Sequence, residues 1–67
     1  MSKFAEILKD LRIDKGLSQS ELARKTGLNQ STITLWEASK SLPNLDSMII
    51  IADYFGVSLD YLAGREN

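Results

Sequence analysis

Gln19, Asn29, Gln30, Ser31 and Thr34 put neutral amides and hydroxyls close together in the middle of the chain. Their chemistry is hydrogen bonding, donated and accepted, with no charge of their own. The 67 residues include no His and no Cys. The chain therefore lacks a nucleophilic triad, a zinc-ligand set and a general base poised near neutral pH. Carboxylates remain available for acid–base work, but so short a chain leaves little room for a substrate pocket. These residue types suit binding better than catalysis. No metal, no cofactor and no small-molecule site is expected.

A chain of this length is one small domain. It buries only about 60% of the surface its unfolded form exposes, so its stability is marginal. Without cysteines no disulfide helps, and the core must come from the 43% of residues that are apolar. Five of them are aromatic: Phe4, Trp36, Tyr54, Phe55 and Tyr61. No apolar run approaches the ~20 residues a membrane helix needs. No basic-then-apolar leader opens the chain, so the expected location is the cytoplasm, with no membrane partner.

The elements that must position the polar residues follow from the punctuation. Gly16, Gly27, Pro43, Gly56 and Gly64 cut the chain into five pieces, each suited to a short helix. The first runs from about Ser2, a candidate cap, to Lys15. Phe4, Ile7, Leu8 and Leu11 make its apolar face, and Ile13 points away from it. The second opens with Ser18-Gln19-Ser20-Glu21, a capping box, and ends near Lys25 with Leu22 and Ala23 inward. The third is capped by Asn29 and runs to about Ala38. Ile33 and Trp36 face inward. Ser31, Thr34, Leu35 and Ala38 fall on the opposite side, with Gln30 on the flank nearest the N-terminus. That outer face is small and mostly uncharged, unlike an ordinary solvated helix.

Asn44 caps the fourth helix, which runs to about Phe55 with Leu45, Met48, Ile49, Ala52 and Phe55 as its inner stripe. Ile50 projects outward beside Asp46 and Asp53. The Ile49-Ile50-Ile51 run has β-propensity, but the helical spacing persists through it. Ser58 caps a last helix, residues 59–63. The domain then spans residues 1–64. Residues 65–67 read as a tail or the start of a linker, with the frayed end setting in at Gly64.

Two short helices around Gly27 are the informative feature. Ala23 is small where a second helix must cross closely, and Gly27 supplies the positive φ of a sharp turn. Such a unit projects one helix as a rod with its N-terminus free. A helix N-terminus attracts anions, and a rod of helix width fits the DNA major groove. The same spacings also serve a plain helical bundle, and the pattern alone leaves both readings open.

Nearly the whole chain resembles the lambda-repressor-like (XRE/Cro-type) helix-turn-helix family. The matching stretches are Leu11-Arg12, Lys15-Gly16-Leu17-Ser18-Gln19, Glu21-Leu22-Ala23, Gly27-Leu28 and Ser31-Thr32-Ile33. They continue with Trp36-Glu37, Pro43-Asn44-Leu45-Asp46, Ile51-Ala52 and Gly56-Val57-Ser58-Leu59-Asp60-Tyr61-Leu62. The resemblance implies an all-α fold, a compact five-helix domain whose second and third helices form the helix-turn-helix. It implies a sequence-specific transcriptional regulator of bacterial or phage type, a repressor, with the recognition helix over about residues 29–38 in the major groove. The implied partners are double-stranded DNA with a palindromic operator and a second copy of the chain.

Carried over by position, Gln30, Ser31, Thr34 and Leu35 face base edges. A Gln amide fits adenine with two hydrogen bonds. Gln19, Asn29, Lys40 and Ser41 are the implied phosphate contacts. Arg12 and Glu37 are the implied structural pair, bonding the first helix to the end of the third. The family's dimer contact falls on residues 39–42 and 59–63, with Tyr61 as anchor and Ile50 as a second candidate. Tyr61 reads equally well as core beside Val57, Leu59 and Leu62.

Two features depart from the family pattern. Ser39 stands where glycine is usual. The charge is also uneven: residues 1–27 carry six basic and four acidic side chains, residues 28–67 two and five, for a total of −1. An acidic balance predicts modest non-specific affinity for DNA. The alternative function is a protein-interaction module that keeps the fold without reading DNA. Outward apolar Ile13, Leu35 and Ile50 would serve it.

Overall fold

Caps set the helix boundaries. In the computed structural model, which describes residues 3–65, the elements are α1 (Lys3–Asp14), α2 (Gln19–Thr26), α3 (Gln30–Glu37), α4 (Leu45–Phe55) and α5 (Leu59–Leu62). The fold is all-α, as the sequence predicts. At the start of α2 the Ser18 hydroxyl accepts from the Glu21 amide, and the Ser18 amide donates to Glu21 Oε1. Asn29, Asn44 and Ser58 cap α3, α4 and α5 in the same sense, accepting from the amides of Ser31, Ser47 and Tyr61. The cap expected of Ser2, and the tail residues Glu66 and Asn67, lie outside the described residues.

The helix ends share one device. The left-handed residues Gly16, Gly56 and Gly64 each sit just past a helix, and the next residue's amide bonds back across the last turn. This is the Schellman motif, and it satisfies carbonyls that the helix end would leave unpaired. Ser39 closes α3 in the same way, at φ 60°, with Lys40 N–H donating to Leu35 O at 2.9 Å. It is the one non-glycine residue with positive φ among those described. The expectation of a frayed end from Gly64 is corrected here. Gly64 N–H donates to Tyr61 O and Arg65 N–H to Asp60 O, so both belong to the close of α5.

Each helix gives the core one fully buried aliphatic side chain: Leu8, Leu22, Ile33, Ile51 and Leu62. Around them pack Phe4, Ala23, Trp36 and Ala52. The Phe4 ring meets Trp36 edge-on, centroids 5.8 Å apart, and so joins the start of α1 to α3. α3 lies against both α1 and α2, and α5 against α1 and α4.

The inner stripe of α4 differs from the sequence expectation. Ile51 is 0% exposed, whereas Leu45 and Ile49 are 64% and 40% exposed. The stripe is Met48, Ile51, Ala52 and Phe55. Ile49 lies more than a quarter-turn off the centre of that stripe, and Leu45 sits at the first position of the helix. Tyr61 is also settled: it is 41% exposed and not core.

Candidate nucleic-acid interface

The turn between α2 and α3 is built from small residues. Gly27, at φ 75°, turns the chain, and its amide donates to Ala23 O at 2.9 Å. Thr26 Oγ1 donates back to Leu22 O at 2.7 Å and completes the end of α2. Buried Ile33 and Trp36 then anchor one side of α3. The opposite side is left uncovered. Asn29, Gln30, Ser31, Thr34 and Leu35 line a shallow, open concavity along it. Of the residues whose spacing put them on the outer face or its flank, Gln30, Ser31, Thr34 and Leu35 line it and Ala38 does not; Asn29 joins them from the cap position.

Behind that face runs a chain of hydrogen bonds. Arg12 Nε donates to Glu37 Oε2 at 2.7 Å and Nη2 donates to Oε1 at 2.9 Å. The side chains are 12% and 4% exposed, so the pair is largely out of water. Arg12 Nη1 also donates to Leu17 O at 2.8 Å. The hydrogen bond to Glu37 raises the Arg12 pKa above its ordinary value, outweighing partial burial, so the guanidinium stays charged. The Arg12 charge offsets that of Glu37 at this end of α3.

Gln19 extends the chain. Its Nε2 donates to Glu37 Oε1 at 3.1 Å, and its Oε1 accepts from Thr34 Oγ1 at 2.6 Å. The sequence placed Gln19 at the start of α2 but gave no sign of these two contacts, which span 18 and 15 positions. They exist because α2 crosses α3 closely there. Asn29 Oδ1 accepts both the Ser31 amide, at 2.9 Å, and the Ser31 hydroxyl, at 2.6 Å. Its cap role is therefore occupied by Oδ1, while the Nδ2 group points no bond inward among the described contacts.

The remaining site candidates are scattered. Lys40 is exposed and Ser41 half-buried, both just past the Schellman close of α3. Ile50 lies exposed on α4 beside exposed Asp46 and Asp53. Tyr61 lines a second shallow cleft with Leu11, Val57 and Ser58, on a different part of the surface from the α3 concavity. No cluster of three or more potential metal ligands occurs among the described residues. No helix there is long and apolar enough to cross a membrane.

A helix-turn-helix family model matches residues 8–62, which takes in the capping box, the Gly27 turn, α3 and all of α5. The chain belongs to the lambda-repressor-like (XRE-type) helix-turn-helix family. The transcriptional activator BcrR of Enterococcus faecalis is 36% identical over 96% of this chain and 31% of its own length. The cryptic phage CTXphi transcriptional repressor RstR of Vibrio cholerae is 29% identical over 84% of this chain and 50% of its own. A transcriptional regulator from Listeria innocua, solved as a crystal structure, superposes with a TM-score of 0.87 at 27% identity. That match covers all of this chain and 63% of the other. The chain thus spans about a third to a half of these two curated relatives' length. Both are named as transcription regulators, not enzymes. Within the family's frame, α2 and α3 are the helix-turn-helix and α3 is its second helix.

Proposed function

We propose that the chain is a sequence-specific double-stranded-DNA-binding domain of a transcription regulator, with α3 seated in the major groove. The observation that carries this reading is the two-sidedness of α3. One side is locked by Ile33 and Trp36, and the other presents Gln30, Ser31, Thr34 and Leu35 on an open concavity. A rod held rigidly by its inner face reads base edges with its outer one. Gln30 contacts adenine through its amide, and Leu35 packs on a thymine methyl. Gln19, Asn29, Lys40 and Ser41 hold phosphates and set the register. Regulation is repression by occupancy of a promoter, in the cytoplasm at the nucleoid. The related activator and repressor suggest that the domain supplies the address and the binding position supplies the outcome.

One recognition helix reads only a few base pairs, too few to single out a site in a genome. The chain therefore acts as a homodimer on a palindromic operator, through an isologous contact near Tyr61 and Ile50. Selection of bound duplexes from a random library at low salt tests this reading. The expected product is a near-palindrome with half-sites about 10 base pairs apart, one helical turn. Recovery of no motif overturns DNA reading. Recovery of an isolated half-site, loaded by one chain, overturns the dimer.

Exposed Ile13, Leu35 and Ile50 favour one second reading, a protein-interaction module on the same fold. Titration with random duplex DNA at low salt separates the two. The module does not bind it, whereas a DNA reader binds weakly through its phosphate contacts.

A further inference from the structure

The hydrogen-bond chain behind α3 has a direction, and the direction is fixed at its buried end. Arg12 can only donate and the Glu37 carboxylate can only accept. Glu37 Oε1 lies 3.1 Å from the Gln19 amide, so the Gln19 group that meets it is the NH₂. The amide oxygen then faces Thr34, at 2.6 Å from Oγ1. An oxygen of that kind accepts, so Thr34 must give it the single hydroxyl proton. The other acceptor near Thr34 is the Gln30 carbonyl at 3.1 Å, which also draws the proton inward. What remains for the outer surface of Thr34 is lone pairs.

We propose that Gln19, oriented by the Arg12–Glu37 pair, fixes the Thr34 hydroxyl as an acceptor and so makes Thr34 select a base with a major-groove amino group. Those bases are cytosine, through N4–H, and adenine, through N6–H. Guanine and thymine present only acceptors at the corresponding edge, and a phosphate presents only acceptors too. Turning the hydroxyl outward to meet any of these breaks the bond to Gln19 and, where the docked duplex excludes water, leaves the amide oxygen unsatisfied. Gln19 is thus a positioning residue: it acts on the base through Thr34. This inference rests on the docking of α3 proposed above.

Library selection on the wild type and three variants tests it. Thr34→Val keeps the shape and removes the hydroxyl, so the base position whose preference it abolishes is the one Thr34 faces. At that position the wild type should favour cytosine and adenine on one and the same strand, over guanine and thymine there, by about tenfold. Thr34→Ser should keep the preference. Gln19→Met keeps the length of the side chain but gives Thr34 no acceptor, leaving only the more distant Gln30 carbonyl. It should lower the preference to about threefold or less at that position and leave the one set by Ser31 unchanged. Gln19→Asn, which retains an amide too short to reach Thr34, should do the same. Its agreement with Gln19→Met guards against a folding artefact, with a thermal melt on each. Every base pair carries one major-groove amino group, so what Thr34 selects is its strand: equal enrichment of a pair and of its reverse at the Thr34 position overturns the inference. So does a Thr34→Val variant that weakens all sequences alike, or two Gln19 variants that leave the base preference intact. In each of these cases a motif is still recovered and the docking of α3 stands. Only the absence of any motif from the wild type removes both.

Discussion

Arg12 and Glu37 stand 25 positions apart and meet fork to fork, two donors of one on the two oxygens of the other. The contact joins the last turn of α1 to the last turn of α3. It therefore constrains the angle at which α3 leaves the core. Taking both charges out of water offsets much of their attraction, so the geometry is the larger part of what the pair contributes.

Removing one partner should cost far more than removing both. Arg12→Ala or Glu37→Ala alone leaves a poorly solvated charge and should lose about 3–5 kcal/mol. The double variant should lose less than the sum, with a coupling of about 0.5–3 kcal/mol. Urea unfolding of the four proteins measures it. A domain of this size is stable by only about 3–10 kcal/mol, so either single variant should lose a large share of its stability. Additive losses below about 1 kcal/mol would mean the pair behaves as a surface contact.

Ile51 and Ile49 offer a second test, inside one helix. Ile51 has no exposed surface, and Ile51→Ala should cost about 2–5 kcal/mol by leaving a cavity between α4 and its neighbours. Ile49→Ala, two residues away, should move stability by about 0.5 kcal/mol or less. Comparable losses at the two positions would show that α4 is rotated from the orientation described.

That pair also marks where the sequence stopped being legible. Ser18 with Glu21, Asn29 and Gly27 are local signals, because each acts on amides or dihedrals within four residues, and they place α2 and α3 correctly. Ile33 and Trp36 are legible because polar residues surround them. Residues 49–51 are three isoleucines, so the contrast that fixes the phase of a helix is missing. Spacing alone then admits Leu45 and Ile49, and the neighbours of α4 decide for Ile51. The outer face of α3 was readable residue by residue. The link from Gln19 to Thr34 and Glu37 was not, because it depends on how α2 crosses α3. Leu42, Leu45, Ile49 and Leu59, all exposed, are apolar surface residues that spacing did not reveal.

Ser39 should be the easiest position to improve. It holds the left-handed place in the close of α3 that glycine holds at Gly16, Gly56 and Gly64. A β-carbon there costs about 1–2 kcal/mol relative to right-handed backbone, and glycine avoids the cost. Ser39→Gly should stabilise the domain by about 1 kcal/mol, raising the melting temperature by about 4–8 °C. A fall in stability would mean that the contacts of the Ser39 side chain outweigh the backbone strain.

Glu21 should make the stability of α2 depend on acid. The Ser18 backbone and hydroxyl hydrogen bonds hold its carboxyl below the usual glutamate value, although the group is fully exposed. A lowered folded pKa means the contribution is complete above the unfolded pKa and is lost as pH falls through the folded one. Titration of Glu21 followed by NMR should give a midpoint below that of the unfolded chain. Glu21→Gln keeps an acceptor for the Ser18 amide and should remove this acid-sensitive part. A Glu21 midpoint at or above the unfolded value would show that the capping box does not favour the carboxylate.

Gln30 and Lys40 should separate reading from holding. Gln30 stands on the open concavity of α3, where an amide meets one base edge. Gln30→Ala should relax the preference at one position per half-site and cost about 1–3 kcal/mol on the preferred sequence only. Lys40 is exposed beyond the end of α3 and carries the nearest positive charge in that loop. A phosphate contact is blind to sequence, so Lys40→Ala should weaken every duplex alike. It should also flatten the plot of log affinity against log salt by about 0.9 for each phosphate released. Binding measured at several salt concentrations, on the selected site and on a scrambled one, gives both quantities for both variants. If Gln30→Ala weakens the two duplexes equally, Gln30 is a backbone contact and base reading falls to its neighbours on α3. If Lys40→Ala leaves the salt slope unchanged, the loop after α3 does not touch the duplex and the phosphate clamp is confined to the starts of α2 and α3.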